Sequence, residues 1–305
     1  MRKSYEIVGR RIVESHSPNA PIEVFYSPDE GEKRRLVEEF KVDEHTLTSA
    51  LDPDELARLE FEPNHIAVIF KRPRNYSGKE QLLFRVSSVG MFLFKDQLIM
   101  VLPEEAPLFD SKQFTRIDTL KEVLLKAIHR AILHFLEHLK IINQICDELE
   151  RKINLAMENR HLINLFTLEK SLVYYLNAIH TNGVLMEKIR NAAAKIGLSA
   201  EELEFLDDMM IENSQCLKQA DIYSNILASL MDARASIVSN NLNVLIKILN
   251  IITIGIMVPT FVVSAFSMNV KLPLNEGGDL AFWLIIVLAA VSVAGFYLFF
   301  KRKKW

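Results

Sequence analysis

The sequence contains no glycine or proline over two long stretches, Leu108–Asn182 and Ser199–Ile254. These two residue types interrupt helices, so their absence predicts helices many turns long. Cysteine is also scarce: Cys146 and Cys216 stand alone and form no Cys-x-x-Cys pair. This spacing argues against a disulfide framework and predicts two buried thiols in a reducing compartment.

Several signatures of enzymes are missing as well. The sequence has no Gly-rich phosphate loop, no Ser/His/Asp set and no Cys-x-x-Cys cluster. We therefore expect neither an enzyme nor an organic cofactor, and no nucleic-acid partner. Met1–Arg11 is polar and basic rather than apolar, so we expect no signal peptide there.

One short motif matches a metal-site pattern. His134, Glu137 and His138 have the His-x-x-Glu-His spacing of some zinc peptidases, and histidines four apart share one helix face. The pattern is short, and the sequence assigns no third ligand. Two interpretations stay open: a zinc site, or a histidine pair that is solvated or packs among the helices.

Two long apolar runs lie near the end of the chain. Leu280–Phe300 carries no charge and is long enough to cross the hydrocarbon core, which takes about 20 residues. Val244–Phe266 carries one charge, Lys247, near its start, where a long side chain can reach the interface. We expect two transmembrane helices; the alternative is a buried helical hairpin in a soluble protein.

The charge pattern predicts the orientation of the two spans. A basic tail, 301–305, directly follows the second span and contains Lys301, Arg302, Lys303 and Lys304. Positive charge beside a span favours the cytoplasmic side, and a short connection makes the spans antiparallel. We therefore expect both termini in the cytoplasm, the loop 267–279 outside, and a multi-pass location in the inner or plasma membrane.

The rest of the chain is predicted to be cytoplasmic. Residues 1–115 predict an α/β domain with a mixed sheet. The predicted strands are Ile22–Tyr26, Ile66–Phe70, Leu82–Val86, Val89–Phe94 and Leu98–Leu102, and the predicted short helices are Glu30–Phe40 and Asp43–Leu51.

Residues 116–243 are predicted to form long cytoplasmic helices and a stalk. The first two helices should break near Asn159–Leu162, and a third begins after Ser199, with Glu202 completing a capping box. Running on to Phe266, it would reach ~100 Å, whereas the bilayer core takes ~30 Å. The predicted fold is thus an α+β membrane protein: an N-terminal α/β domain, a long helical stalk and two C-terminal transmembrane helices, 244–266 and 280–300.

The first predicted span has a polar stripe along one face. Steps of three and four residues connect Asn243, Ile246, Asn250, Thr253, Met257, Thr260 and Ser264. An unpaired hydroxyl or amide is costly in hydrocarbon, so the stripe must face protein or water. Two interpretations stay open: polar packing between helices, or one wall of a pore.

Under the pore interpretation, the lining carries no charged ring. Neutral oxygens would hydrogen-bond to the water shell of an ion, which suits Mg²⁺ because it dehydrates reluctantly. One stripe cannot enclose a channel, so a closed ring of subunits is required.

The stretch from Asn243 to Asn269 reads Asn-x-x-Ile-Lys-x-Leu-Asn, then Pro259-Thr260, then Phe266-Ser267-Met268-Asn269. With this motif the chain resembles the CorA family of magnesium and cobalt transporters. The family pattern is Asn-x-x-Met-Lys-x-Leu-Thr, a mid-helix Pro and Thr, and Tyr-Gly-Met-Asn. The order of an α/β domain, long helices and two final spans fits the family too.

The resemblance implies a function and an assembly. It implies a homopentameric Mg²⁺ channel that also accepts Co²⁺ or Ni²⁺, driven by the membrane potential and held closed by cytoplasmic divalent ions. Asn269 would form the outer selectivity ring beside Ser267 and Met268, and Asn243 would lie near the cytoplasmic end. Lys247 and the tail residues Lys301, Arg302, Lys303 and Lys304 would form a basic collar. Asp207 and Asp208 would hold the regulatory Mg²⁺; the alternative there is a solvated acidic helix face.

The sequence departs from the family pattern at several positions. Ser267 replaces the signature glycine, Phe266 replaces tyrosine, and Asn250 replaces threonine. Two alternative functions therefore accompany the leading hypothesis. One is a zinc transporter like ZntB, and the other is a non-conducting, membrane-anchored scaffold of the same architecture.

Overall fold

The computed structural model describes residues 1–17, 20–75, 82–109, 114–155, 159–268 and 278–302. The chain divides into two compact units, Met1–Met231 and Asp232–Trp305. The first unit contains both the sheet and two long helices that pack against it, α3 (Leu120–Leu155) and α4 (Asn159–Asn191). The finer division predicted from the sequence, with boundaries after 115 and 243, stays a prediction.

The first unit is built on a seven-stranded mixed sheet. Its strands are β1 (Arg2–Val8), β2 (Arg11–Glu14), β3 (Ile22–Tyr26), β4 (Arg58–Phe61), β5 (Ile66–Pro73), β6 (Val86–Leu93) and β7 (Leu98–Leu102). The strand order is β2-β1-β3-β7-β6-β5-β4. The pair β3–β7 is parallel, while the other neighbours are antiparallel, which confirms the predicted mixed sheet.

Seven helices complete the fold of the described residues. They are α1 (Glu30–Glu38), α2 (Glu44–Leu51), α3 (Leu120–Leu155), α4 (Asn159–Asn191), α5 (Ala193–Ile196), α6 (Ala200–Phe266) and α7 (Gly278–Arg302). The long stretches without glycine or proline are mostly helical, as predicted, although α3 begins only at Leu120. α3 ends at Leu155 and α4 begins at Asn159, so the predicted break at Asn159–Leu162 falls inside α4.

Successive residues of the strands face two separate cores, because side chains alternate along a strand. Phe25 and Ile69 pack with Leu36 of α1 and Leu47 of α2. Their neighbours on the strands belong to the larger core shared with α3, α4 and α6, whose members include Val24, Val68, Ile132, Leu172 and Met209. The sheet is therefore covered on both faces.

Two linked caps begin α3 and α6. Ser199 and Glu202 form the predicted capping box: the amide of Ser199 donates to Glu202 Oε2 at 2.7 Å, and the amide of Glu202 donates to Ser199 Oγ at 3.1 Å. At the start of α3, the amide of Glu122 donates to Thr119 Oγ1 at 3.0 Å. Thr119 Oγ1 in turn donates to Glu202 Oε1 at 2.6 Å, so the two helix starts are joined.

One strand prediction is wrong, another strand begins earlier than predicted, and one hairpin was not predicted. Leu82–Val86 is not a separate strand; β6 begins at Val86 and runs through Ser88 without a break. Ser87 and Ser88 separate the two predicted strands in the sequence, but Ser88 Oγ accepts from Lys71 Nζ of β5 at 2.8 Å inside the sheet. The β1–β2 hairpin was missed because its strands are rich in charge; it turns at Gly9 and Arg10, both with positive φ.

The second unit contains the two apolar helical segments. The most apolar windows of α6 and of Leu280–Arg302 have mean hydropathies of 2.1 and 2.4. Only 0% and 6% of these windows are buried within the chain. A core hairpin of a soluble protein would be mostly buried, so these values favour the predicted membrane spans.

Candidate ion pathway

The polar stripe of α6 lies uncovered in the second unit. All seven of its members are exposed: Asn243, Ile246, Asn250, Thr253, Met257, Thr260 and Ser264. On a helix of 3.6 residues per turn they form one continuous face. No other part of the chain that the structure describes covers this face.

The opposite face of α6 packs against the second span. The less exposed residues recur at Lys247, Ile251, Gly255, Val258 and Val262, a spacing of one helix face. A Cβ atom built at Gly255 would lie 3.5 Å from a ring carbon of Phe296 on α7. The second span therefore packs against the face of α6 that lies away from the stripe. It does not provide hydrogen-bond partners for the polar side chains of the stripe.

Two stripe hydroxyls donate to their own helix. Thr253 Oγ1 donates to the Leu249 carbonyl at 2.9 Å, and Thr260 Oγ1 donates to the Ile256 carbonyl at 2.6 Å. Such bonds are usual for threonine inside a helix. Because each proton is used internally, the oxygens present only their lone pairs outward. They can accept hydrogen bonds from water held by a cation.

The C-terminal end of α6 leads directly into Ser267, the residue that replaces the signature glycine. Ser267 Oγ donates to the Ser264 carbonyl at 2.9 Å, and its amide reaches the same oxygen at 3.2 Å. Ser267 is not among the described residues with positive φ, so serine fits here without strain. Met268 is exposed. Asn269, predicted to be the outer ion ligand, lies outside the described residues.

The predicted basic collar is described in part. Lys247 is half-buried on the face of α6 that packs against α7, and Lys301 and Arg302 are exposed at the end of α7. Lys303 and Lys304 lie outside the described residues.

The two acidic residues near the start of α6 differ in their surroundings. Asp207 Oδ1 accepts from Arg190 Nε at 2.5 Å, whereas Asp208 is exposed and its side chain has no hydrogen-bond partner among the described residues. The pairing with Asp207 raises the pKa of Arg190, chiefly through this hydrogen bond. Within the described residues, no group of three or more His, Cys, Asp or Glu is placed to hold a metal. Arg190 was missed because it lies on α4, and only the packing of α4 beside α6 brings it to Asp207.

The histidine motif packs inside the first unit. His138 is buried, and its Nδ1 lies 2.6 Å from the Tyr175 hydroxyl on α4. Burial lowers the pKa of His134 to about 3 and that of His138 to about 4. Glu137 pairs instead with Arg130 at 3.0 Å. These contacts favour packing among the helices over a zinc site.

Both cysteines are buried and free, as predicted. Burial raises the pKa of Cys146 to about 11 and that of Cys216 to about 12, so both thiols stay protonated at neutral pH.

Fold and site together define a membrane protein in which two C-terminal spans follow a large α/β domain in the chain. The family model described as "CorA-like Mg2+ transporter protein" matches residues 24–302. The chain therefore belongs to the CorA family, whose members are ion transporters and not enzymes.

Individual relatives agree with this assignment. The cobalt/magnesium transport protein CorA of Methanocaldococcus jannaschii is 24% identical over 92% of this chain and 89% of its own length. The complete structure of the CorA magnesium transporter from that organism has a TM-score of 0.82, with 20% identity, covering 99% of this chain and 96% of its own. The ZntB cytoplasmic domain from Vibrio parahaemolyticus has a TM-score of 0.60, with 11% identity, covering 78% of this chain and 98% of its own.

Proposed function

We propose that this protein is a Mg²⁺ channel that also accepts Co²⁺ and Ni²⁺, and that its pore is formed by the polar stripe of α6. The observation that carries the proposal is that the stripe stays uncovered while the opposite face of α6 packs against α7. Membership of the CorA family and the name of the M. jannaschii relative support the choice of ion.

The assembly follows from the geometry of one stripe. A single helix face cannot surround an ion, so several chains must present their stripes to a common axis. We propose a homopentamer, by likeness to the family. Each chain contributes the oxygens of Asn243, Asn250, Thr253, Thr260 and Ser264, with the thioether of Met257 between them.

The chemistry of the stripe suits an ion that keeps its water. Hydration water points its hydrogens outward, and Thr253 and Thr260 offer lone pairs to receive them. Mg²⁺ holds its first water shell strongly, so such outer contacts cost less than direct ligation. Asn269, with Ser267 and Met268 beside it, forms the selectivity ring at the outer mouth.

The membrane orientation gives the direction of the driving force. Both termini are cytoplasmic in this proposal, with Lys247, Lys301, Arg302, Lys303 and Lys304 around the inner mouth. An interior-negative potential contributes ~2.3 kcal/mol per charge per 100 mV, and therefore about twice that for a divalent ion. Inward movement then needs no further energy source.

Regulation by cytoplasmic Mg²⁺ is the second part of the proposal. Asp208 is exposed and available to an ion held between neighbouring chains, whereas Asp207 is occupied by Arg190. Loss of the ion leaves like charges facing each other, which favours a second, open state. Asp208→Asn should weaken inhibition of flux by internal Mg²⁺, and Glu201→Gln, an exposed change on the same helix, should not. Equal inhibition in both variants would remove Asp208 from the regulatory site.

The main experiment removes oxygens from the stripe while keeping the shape of the helix. Purified protein in liposomes loaded with a Mg²⁺-sensitive dye should show uptake that grows with an interior-negative potential. The double variant Thr253→Val/Thr260→Val should lower that uptake at least tenfold. Ser292→Ala is the matched control, because Ser292 is a hydroxyl residue of the other span that donates to the Ala289 carbonyl at 2.7 Å.

The same liposomes separate the alternatives. Unchanged flux in the double valine variant would contradict the pore assignment. Zn²⁺ uptake that requires a proton gradient would favour the ZntB-like function, for which the similarity to a ZntB cytoplasmic domain is the supporting observation. No flux of any divalent ion would favour the non-conducting scaffold.

A further inference from the structure

A small cavity in the first unit is lined by hydrogen-bond donors. It has a volume of about 60 Å³ and lies between the end of β5 and the middle of α3. Its polar lining consists of Arg72, Asn75, Arg130 and His134, and its remaining walls are apolar. No carboxylate is among the described residues that line it.

Arg72 is a buried charge with incomplete pairing. The residue is 8% exposed, and its Nε is buried without a hydrogen-bond partner among the described residues. Its nearest carboxylate is Glu104, 3.5 Å from the guanidinium, and the same carboxylate is held more closely by Arg74 Nε at 2.7 Å. One carboxylate thus serves two guanidinium groups. An uncompensated buried charge is costly, and burial lowers the pKa of Arg72.

Arg130 and His134 bring further donors to the same space. They lie four residues apart on α3 and so share a helix face. Arg130 pairs with Glu137 at 3.0 Å, but that carboxylate is more than half exposed and does not line the cavity. His134 is neutral at pH 7, because burial and the nearby positive charges lower its pKa to about 3. A neutral imidazole still offers one N–H donor.

From this lining we infer that the cavity binds one small inorganic oxyanion with the size and chemistry of phosphate. A space of this size holds a few water molecules or one tetrahedral anion, and it is too small to enclose a nucleotide. The guanidinium group of arginine matches the oxygens of such an anion, and two arginines, Arg72 and Arg130, line the cavity. The anion would balance the charge of Arg72 and connect β5 to α3. This inference does not depend on the proposed transport function.

The test measures phosphate binding by the full-length protein in detergent, without divalent ions, at pH 7.5. Phosphate replaces chloride at constant ionic strength, and equilibrium dialysis with labelled phosphate is compared with the shift in melting temperature. We expect saturable binding of one phosphate per chain and a higher melting temperature. Arg130→Gln should weaken binding at least tenfold. Lys140→Gln, an exposed change on the same helix outside the cavity, should leave it unchanged.

The controls keep the inference falsifiable. Arg130 is partly exposed, so its substitution should not prevent folding; His134→Gln provides a second variant with the same expected loss. Sulfate should compete with phosphate if the site recognises tetrahedral oxyanions in general. No saturable binding, or equal affinity in wild type, Arg130→Gln and His134→Gln, would overturn the inference.

Discussion

The two units of the chain differ in where they place their large apolar residues: the first unit buries them, and the second exposes them. In Met1–Met231, Phe25, Phe92 and Phe135 are completely buried. In Asp232–Trp305, Phe261 and Trp283 are 74% and 65% exposed. Removing apolar area from water stabilises the first arrangement, whereas lipid removes that requirement in the second. The comparison shows that one chain can be suited to two solvents. In the first unit the polar side chains lie on the surface, and in the second they lie along a single stripe of one helix.

The largest expected effect comes from deleting a buried ring in the first unit. Phe92→Ala should lower the free energy of unfolding of that unit by about 3–5 kcal/mol, since it leaves a cavity in the core between the sheet and the short helices. Phe261→Ala is the matched change in the second unit and should cost well under half as much. Thermal unfolding in detergent measures both, and equal losses would break the comparison.

The next effect tests the lipid-facing surface with a charge. Val287→Lys, at a position 59% exposed on α7, should cost about 2.5–3.5 kcal/mol for insertion at the centre of a span. Val13→Lys, at a position 47% exposed on β2, should change stability by about 0.5 kcal/mol or less. The fraction of protein recovered in membranes reports the first change. Normal insertion of the Val287 variant would argue against that face contacting lipid.

Acid should destabilise the first unit through its buried histidines. The folded-state pKa values of His134 and His138 lie below the ordinary 6.5, so the unfolded chain binds more protons as pH falls from about 6.5 towards 4. Stability is therefore present above pH 6.5 and is lost through that window. His138→Gln should make the fall in melting temperature between pH 7 and pH 5 smaller than in wild type. An unchanged fall would mean that His138 is not a source of the acid sensitivity.

The smallest expected effect concerns the start of α6. Ser199→Ala removes the hydroxyl that accepts from the Glu202 amide and should cost about 1 kcal/mol. Ser236→Ala is the control, because that serine is exposed and donates only to the carbonyl of Asp232 within the same helix. Denaturant unfolding measures the difference. Equal stability of the two variants would show that the cap does not contribute.

Sequence patterns predicted the parts of this molecule that depend on neighbours along the chain. The polar stripe from Asn243 to Ser264 follows from helical period alone, and the capping box at Ser199 follows from three-residue spacing. The β1–β2 hairpin did not follow, because its alternation is obscured by charged residues on an edge of the sheet. The pairing of Arg190 with Asp207 depends on packing between separate elements, and so does the presence of Arg72 and Arg130 in the lining of one cavity. Such contacts between residues far apart in the chain cannot be predicted from a local sequence pattern.

Pro259 lies inside α6 and carries no amide hydrogen. The carbonyl of Gly255, four residues earlier, therefore lacks its usual donor, while the next carbonyl, that of Ile256, receives the Thr260 hydroxyl as an additional one. Because this turn lacks one backbone hydrogen bond, the span bends most easily there. A change in the curvature of the span would then begin midway through the bilayer, beside Thr260, with the turns on either side remaining intact.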